Sequence, residues 1–366
     1  MQIKAASALF LLFCGYLPGV FSAPAASKKA ATSKAATKVL TATAPSRTSL
    51  PSSPAPYDAS AESSAVAKNG PLPSNVATKG GFAVNATTGP PASAQKASPM
   101  QLDSSYGPTS ATVKGLEFYT TLAANAYCSA VQSDSWSCAH CNVVPDGKLI
   151  ISFTTPNTDN VGYILQSNAN QAIYITFRGT NSLQSFVDDL QFTYTDYTPV
   201  SGAKVHNGFY ATFNEAAGFV TSNVSALLTA NPNYKFYVVG HSLGGALAIL
   251  QALDLYQKDI RFTPSNLVVY TFGEPRVGNP IFAQYATGTG LTIDRTVNQR
   301  DIVPHLPPES FGFLHEGDEF WITDSSNDVD ECDTTLDSPN CSDSIVPFTS
   351  LTDHLSYFGI NTGLCL

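Results

Sequence analysis

The sequence predicts an α/β fold built on a largely parallel central sheet. Two observations carry this. Runs of β-branched and aromatic residues alternate with helix-like stretches through the C-terminal two-thirds of the chain, the pattern of strands joined by crossover helices. Residues 234–248 also pass without interruption from strand-like sequence (Tyr-Lys-Phe-Tyr-Val-Val), through Gly-His-Ser-Leu-Gly, into Ala- and Leu-rich sequence that favours a helix.

In chain order, the N-terminus comes first. Lys4 precedes an apolar run of about a dozen residues, too short to span a bilayer, and small residues follow around Ala23-Pro24-Ala25. Residues 1–25 therefore read as a secretory signal peptide. No other stretch is long and apolar enough to span, so the expected location is secreted and extracellular. Residues 26–96 are rich in Ala, Ser, Thr, Pro and Lys, with large apolar residues too sparse for a core. They read as a disordered or O-glycosylated linker, or as a pro-segment that is later removed.

Charge separates the two parts. Residues 27–96 carry seven Lys and one Arg against one Asp and one Glu, a net +6, whereas residues 97–366 carry −16. This complementarity predicts that the segment docks electrostatically on the folded domain, residues 97–366. An acidic body is a poor match for a phosphate backbone, which argues against nucleic acid as a partner.

The folded part starts near Thr112. Residues 113–128 have helical character. Residues 149–153, 161–165 and 172–177 read as strands, the first two as a hairpin and the third as buried. Residues 207–229 place Phe209, Phe213, Ala216, Val220, Val224 and Leu227 at helical spacing. Past the Gly-His-Ser-Leu-Gly stretch and its helix to about Tyr256, residues 267–272 and 292–298 read as two more strands. Cys14 lies in the signal, leaving Cys128, Cys138, Cys141, Cys332, Cys341 and Cys365. Six cysteines allow 15 pairings, and in an oxidising compartment Cys138-x-x-Cys141 reads as a structural disulfide rather than a zinc half-site.

The chemistry centres on Ser242. Gly-x-Ser-x-Gly between a strand and a helix is the nucleophile elbow of α/β-hydrolases. Gly240 and Gly244 lack the Cβ atoms that would block so sharp a turn, and the hydroxyl stands at a helix N-terminus. Such a serine needs a base and an orienting acid, in the chain order Ser, acid, His. Of His305, His315 and His354, the last sits where the final member belongs. Of Asp294, Asp301 and Asp324, Asp301 begins the turn after a strand, with a salt bridge to Arg295 or Arg300 as its structural alternative. The oxyanion hole needs the Leu243 N–H and a second donor from an earlier strand end. Residues 178–180 (Arg-Gly-Thr) supply Thr180, through N–H and hydroxyl. Just beyond, Leu183, Phe186, Val187 and Leu190 fall on one face of a short helix that Asn181 or Ser182 can cap. That helix reads as core packing or as a lid with its apolar face over the site.

With these stretches assembled, the chain resembles the secreted fungal triacylglycerol lipases of the Rhizomucor–Rhizopus type, in the class 3 lipase family. The resemblance runs from about residue 117 to 366. It rests on Thr176-Phe-Arg-Gly-Thr180, Gly240-His-Ser-Leu-Gly-Gly-Ala-Leu-Ala248, Thr271-Phe-Gly-Glu-Pro-Arg-Val-Gly-Asn279, Arg300-Asp-Ile-Val-Pro-His-Leu-Pro-Pro308 and Asp353-His-Leu-Ser-Tyr-Phe. It implies Ser242 as nucleophile, Asp301 as acid and His354 as base. It implies an oxyanion hole at Thr180 and Leu243, and a lid over residues 182–190 whose Asp189 meets Arg178 on opening. It also implies disulfides Cys128–Cys365, Cys138–Cys141 and Cys332–Cys341, and a basic pro-segment ending near residue 96.

The expected protein is thus a monomeric α/β-hydrolase with a short helical lid. It acts on acylglycerols at a lipid–water interface without metal or cofactor. The competing expectations are another ester hydrolase, such as a phospholipase or feruloyl esterase, and a hydrolase fold kept as a binding module.

Overall fold

The computed structural model describes residues 47–48, 61–91, 108–332 and 336–365. The expected signal peptide and the expected boundary at 96/97 lie outside them.

Residues 61–91, expected to be either a disordered linker or a pro-segment docked on the folded domain, have structure: helix α1 (Ala61–Asn69) and a hairpin of β1 (Thr78–Lys79) with β2 (Phe82–Ala83). Few apolar side chains suffice because the body supplies the rest of the core. Ala65 and Phe82 join the main cluster, while Ala83 and Ala86 pack with Phe348. Backbone groups pair across the same surface: Ala83 N–H to Pro347 C=O, Ala86 N–H to Thr349 C=O and Leu351 N–H to Val84 C=O, each 2.8 Å. Among the described residues, the ion pair between this segment and the body joins Glu62 of α1 to Arg276 at 2.7 Å, while Lys79 and Arg47 donate to backbone carbonyls. Lys28, Lys29, Lys34, Lys38 and Lys96, which carry most of the basic charge behind the expected electrostatic docking, lie outside the described residues.

The body opens with α2 (Ser110–Asn125), capped by the Thr109 hydroxyl, and the short α3 (Ser129–Gln132). Then come β3 (Lys148–Thr154), β4 (Val161–Ser167) and β5 (Ala172–Phe177), the last buried at every position. Past β5 lie α4 (Leu183–Asp189) and a small hairpin of β6 (Tyr194–Asp196) with β7 (Lys204–His206). The long α5 (Asn207–Ala230) leads to β8 (Lys235–His241) and α6 (Leu243–Lys258), followed by β9 (Leu267–Phe272), α7 (Pro280–Gly288) and β10 (Thr292–Asn298). The chain closes with β11 (Asp318–Ile322), β12 (Val329–Glu331) and a hairpin of β13 (Ser356–Tyr357) with β14 (Ile360–Asn361).

Eight strands make the central sheet, in the order β12-β11-β10-β9-β8-β5-β4-β3. The five inner strands from β11 to β5 are parallel, because helices carry the chain back between β5, β8, β9 and β10. β3 and β4 form the expected antiparallel hairpin, with a register shift between Leu149 and Ile151. α6 is buried along most of its length, so it reads as apolar on every side rather than amphipathic. Residues 318–322 form β11, which the sequence pattern does not announce. Its start, Asp318-Glu319, hides the strand signal, and the buried Glu319 is met by Arg295 (3.5 Å) and by the Ser342 N–H (3.0 Å).

Three disulfides link Cys128 with Cys365, Cys138 with Cys141 and Cys332 with Cys341. The first ties the end of α2 to the C-terminal tail across 237 residues.

Candidate active site

The loops at the C-terminal ends of the parallel strands gather the candidate residues, where open α/β sheets place their ligands. Ser242 follows β8 with φ 58° and ψ −133°, a strained conformation for a residue with a side chain. The two glycines make the turn possible. A Cβ on Gly240 would stand 2.0 Å from Gly244 C=O, and one on Gly244 would stand 2.2 Å from Phe177 C=O. The Ser242 N–H donates to Phe272 C=O (2.9 Å), fixing the elbow to the next strand.

Asp301 lies in the turn after β10 and is fully buried. Its Oδ2 accepts from His354 Nδ1 at 2.6 Å and from the Tyr357 hydroxyl at 2.5 Å, and its Oδ1 accepts from Val303 N–H at 2.8 Å. Burial, then the Asp301 charge, keeps the Tyr357 phenol well above its ordinary pKa, so it serves as a donor. The loop of Asp301 is stitched to that of His354. Asn298 Nδ2 donates to Asp353 C=O (2.9 Å) and Arg300 N–H to Asp353 Oδ2 (3.1 Å). Arg300 pairs with Asp353 and Arg295 with Glu319, so neither takes Asp301.

His354 lies 4.5 Å, centroid to centroid, from His241, the residue before Ser242. His241 is held between two partners. Its Nδ1 meets the Tyr127 hydroxyl (2.8 Å), which accepts from Gly179 N–H (3.0 Å), and its Nε2 donates to His354 C=O (3.0 Å). Burial, and then proximity to His354, push His241 well below the usual imidazole range, so it stays neutral. Ser242 Oγ and His354 Nε2 are both buried without a hydrogen-bond partner. They are the two atoms a triad would join, and such bonds are often long before substrate enters.

Leu243 begins α6, where the backbone N–H has no intrahelical acceptor. Thr180 lies across from it, and a Cβ on the adjoining Gly179 would meet the Ser242 Cβ at 2.8 Å. The Thr180 hydroxyl donates to Ser182 C=O (3.1 Å), so in this arrangement it serves its own loop.

α4 covers a cleft of about 480 Å³ lined by Thr180, Ser182, Phe186, Leu190, His206 and Leu243, among others. Val187 and Leu190 are buried, Leu183 and Phe186 half-buried, and Gln184, Asp188 and Asp189 exposed, Asp189 at the edge of the cleft. Phe186 stacks on Phe209 (6.3 Å between centroids). The expected Ser182 cap is not made, because its hydroxyl donates to Ser185 Oγ instead (2.8 Å). At the far end Lys79 donates to Asp188 C=O (2.8 Å). His206 caps α5 through Nδ1 and holds Gln191 C=O through Nε2, and burial lowers its pKa to about 4. Arg178 donates to Gly179 C=O (3.1 Å) and Asp159 C=O (3.0 Å), with no ion pair to Asp189.

The alternatives weighed on sequence lie elsewhere. His305 pairs with Asp343, His315 with Pro304 C=O, Asp294 sits inside β10, and Asp324 caps an exposed turn. Tyr127, His241 and Tyr357 also belong to the site. His241 adjoins Ser242 and Tyr357 follows His354 by three residues, but the contacts that give them and Tyr127 their roles form only in the tertiary fold, and spacing along the chain carries no signal for those.

A family model described as Lipase (class 3) matches residues 174–311. The lipase of Rhizomucor miehei is 48% identical over 324 residues, 88% of each chain. The solved native complex of Rhizomucor miehei lipase with its propeptide aligns with TM-score 0.79 at 46% identity, over 87% of this chain and 97% of that one. A triacylglycerol lipase whose catalytic centre is described as a serine protease triad aligns with TM-score 0.70 at 49% identity, over 71% of this chain and 99% of that one.

Proposed function

The chain belongs to the class 3 lipase family, and we propose that Ser242, Asp301 and His354 are the triad with which it hydrolyses long-chain acylglycerols at an oil–water interface. It is a carboxylic-ester hydrolase of the triacylglycerol lipase type. The observation that carries the assignment of residues is the Asp301–His354 hydrogen bond of 2.6 Å, set beside a serine with φ 58° on a strand-to-helix elbow.

The steps follow from these positions. Ser242 Oγ attacks the ester carbonyl while His354 Nε2 takes its proton. Asp301 accepts from Nδ1–H, which fixes the tautomer and stabilises the imidazolium. The negative charge on the former carbonyl oxygen is met by the N–H groups of Leu243 and Thr180. Losing one such donor costs about 10²–10³-fold in rate. His354 then protonates the leaving alcohol, and water repeats the sequence on the acyl-enzyme. No step draws on a metal or cofactor. The apolar underside of α4 favours a lipid over a soluble ester, since opening exposes surface that an interface would cover. Residues 1–25 act as a secretion signal and 26–96 as a pro-segment of a monomeric extracellular enzyme. The similarity to a lipase solved with its propeptide supports the latter. Among the described residues no helix is long and apolar enough to cross a membrane.

The test has two readouts. A serine-directed phosphonate, added with detergent, is expected to leave one covalent adduct, on Ser242, by peptide mass mapping. Activity against rising triglyceride is expected to step upward at the solubility limit. An unlabelled Ser242 removes the triad assignment, and a smooth hyperbola removes the interfacial one.

A further inference from the structure

Where α1 meets the body, one guanidinium faces more carboxyls than it neutralises. Arg276 is fully buried. It donates from Nε to Asp337 (3.0 Å), from Nη2 to Asp343 (3.1 Å) and from Nη1 to Glu62 (2.7 Å). Glu309 closes the far side. Its N–H donates to Glu62 Oε2 (3.0 Å), and the Glu62 N–H donates to Glu309 Oε2 (3.4 Å). The remaining titratable neighbours are His305, on Asp343 at 2.7 Å, and His315, which burial holds well below the usual imidazole range and hence neutral. Arg276 can neutralise only one of the carboxyls around it, and Glu62 shares it with Asp337 and Asp343. Among the described residues Glu309 forms no ion pair, and Glu62 and Glu309 are each less than a tenth exposed. A buried carboxylate without a counter-charge of its own is costly, and two close together cost more.

We propose that docking of residues 61–91 takes up protons at the Glu62–Glu309 pair, so that the segment is held in acid and loosens as the pH rises towards and through neutrality. It rests on the reading of residues 26–96 as a pro-segment. Burial, partly offset by Arg276, raises Glu62 to about 7 and Glu309 to about 9. A carboxyl whose pKa is raised on docking stabilises the docked form fully below its free value of 4.5 and loses that contribution as pH climbs through the docked one. The window for Glu62 is therefore about 4.5 to 7, and Glu309 extends it upward. The consequence reaches the site, because Lys79, on the same segment, donates to the last turn of α4. Undocking removes that contact from the lid.

Hydrogen exchange of the α1 amides in the intact chain measures docking without substrate and without cleavage. A failure here is therefore separate from failure of the lipase or pro-segment readings. After correction for intrinsic rates, protection is expected to fall about tenfold per pH unit for each carboxyl protonated on docking, so up to about a hundredfold per unit between pH 5 and 7 and about tenfold per unit above that. E62Q/E309Q, which carries no titrating carboxyl at the pair, is expected to stay protected with no slope. Should that variant not dock, E309Q alone must still reduce the slope. Wild-type protection independent of pH overturns the proposal, and so does a slope that the double variant or E309Q retains in full.

Discussion

The Asp301 carboxyl shows how much of the site is decided at single residues. It is fully buried and survives as a hydrogen-bond acceptor because three donors reach it: His354, Tyr357 and the Val303 N–H. The Tyr357 hydroxyl competes with His354 for the same oxygen, Oδ2, and fixes where that oxygen points. Y357F removes this donor at nearly constant volume. A hydrogen bond to a charged group contributes about 1.5–3 kcal/mol, of which only the part that changes in the transition state affects rate. We expect kcat on a soluble ester to fall about tenfold, with the thermal midpoint lowered by several degrees. An unaltered kcat would mean that Tyr357 packs without positioning the acid.

At the level of elements, α4 is too short to be stable alone and holds its place through its apolar underside. Val187 is completely buried there, and Leu190 beside it is nearly so. An aspartate in place of Val187 would put a carboxylate in that contact, which the closed position cannot hydrate. V187D is therefore expected to raise the rate on monomeric ester several-fold and to flatten the step at the solubility limit. The measurement is the same rate curve through saturation, run on wild type and variant. A step of undiminished height would show that α4 does not gate the cleft.

For the molecule as a whole, the Cys128–Cys365 disulfide closes nearly the entire folded domain. Its 237-residue separation implies about 5 kcal/mol of stabilisation through the unfolded chain. C128S/C365S should lower the unfolding free energy in denaturant by about that amount, with the slope against denaturant raised as the unfolded state expands. A loss below about 1 kcal/mol would place the strain of the bridge close to its entropic gain.

Much of this was legible along the chain, and the limit has one physical cause. Strand and helix periods are local, so 172–177, 267–272 and 292–298 were readable to the residue as β5, β9 and β10, and residues 207–229 almost to the residue as α5. The elbow was equally local. Its two glycines and serine lie within five residues, so the pattern is visible along the chain even though Phe177 and Phe272 complete the turn. Whatever depended on a distant partner was not readable. β11 begins with two acidic residues, and its buried Glu319 makes sense only against Arg295 and the Ser342 N–H. Tyr127 and Tyr357 join the site from positions 114 and 56 residues away from their partners His241 and Asp301. Residues 61–91 lack the apolar content to fold alone, and they pack because the body lends them a surface. The sequence determined the elements and the identity of the chemistry, since these follow from neighbours along the chain. The tertiary structure alone decided which carboxyls share a buried arginine and which hydroxyl reaches Asp301, because burial and pairing are properties of contacts the chain makes only once folded.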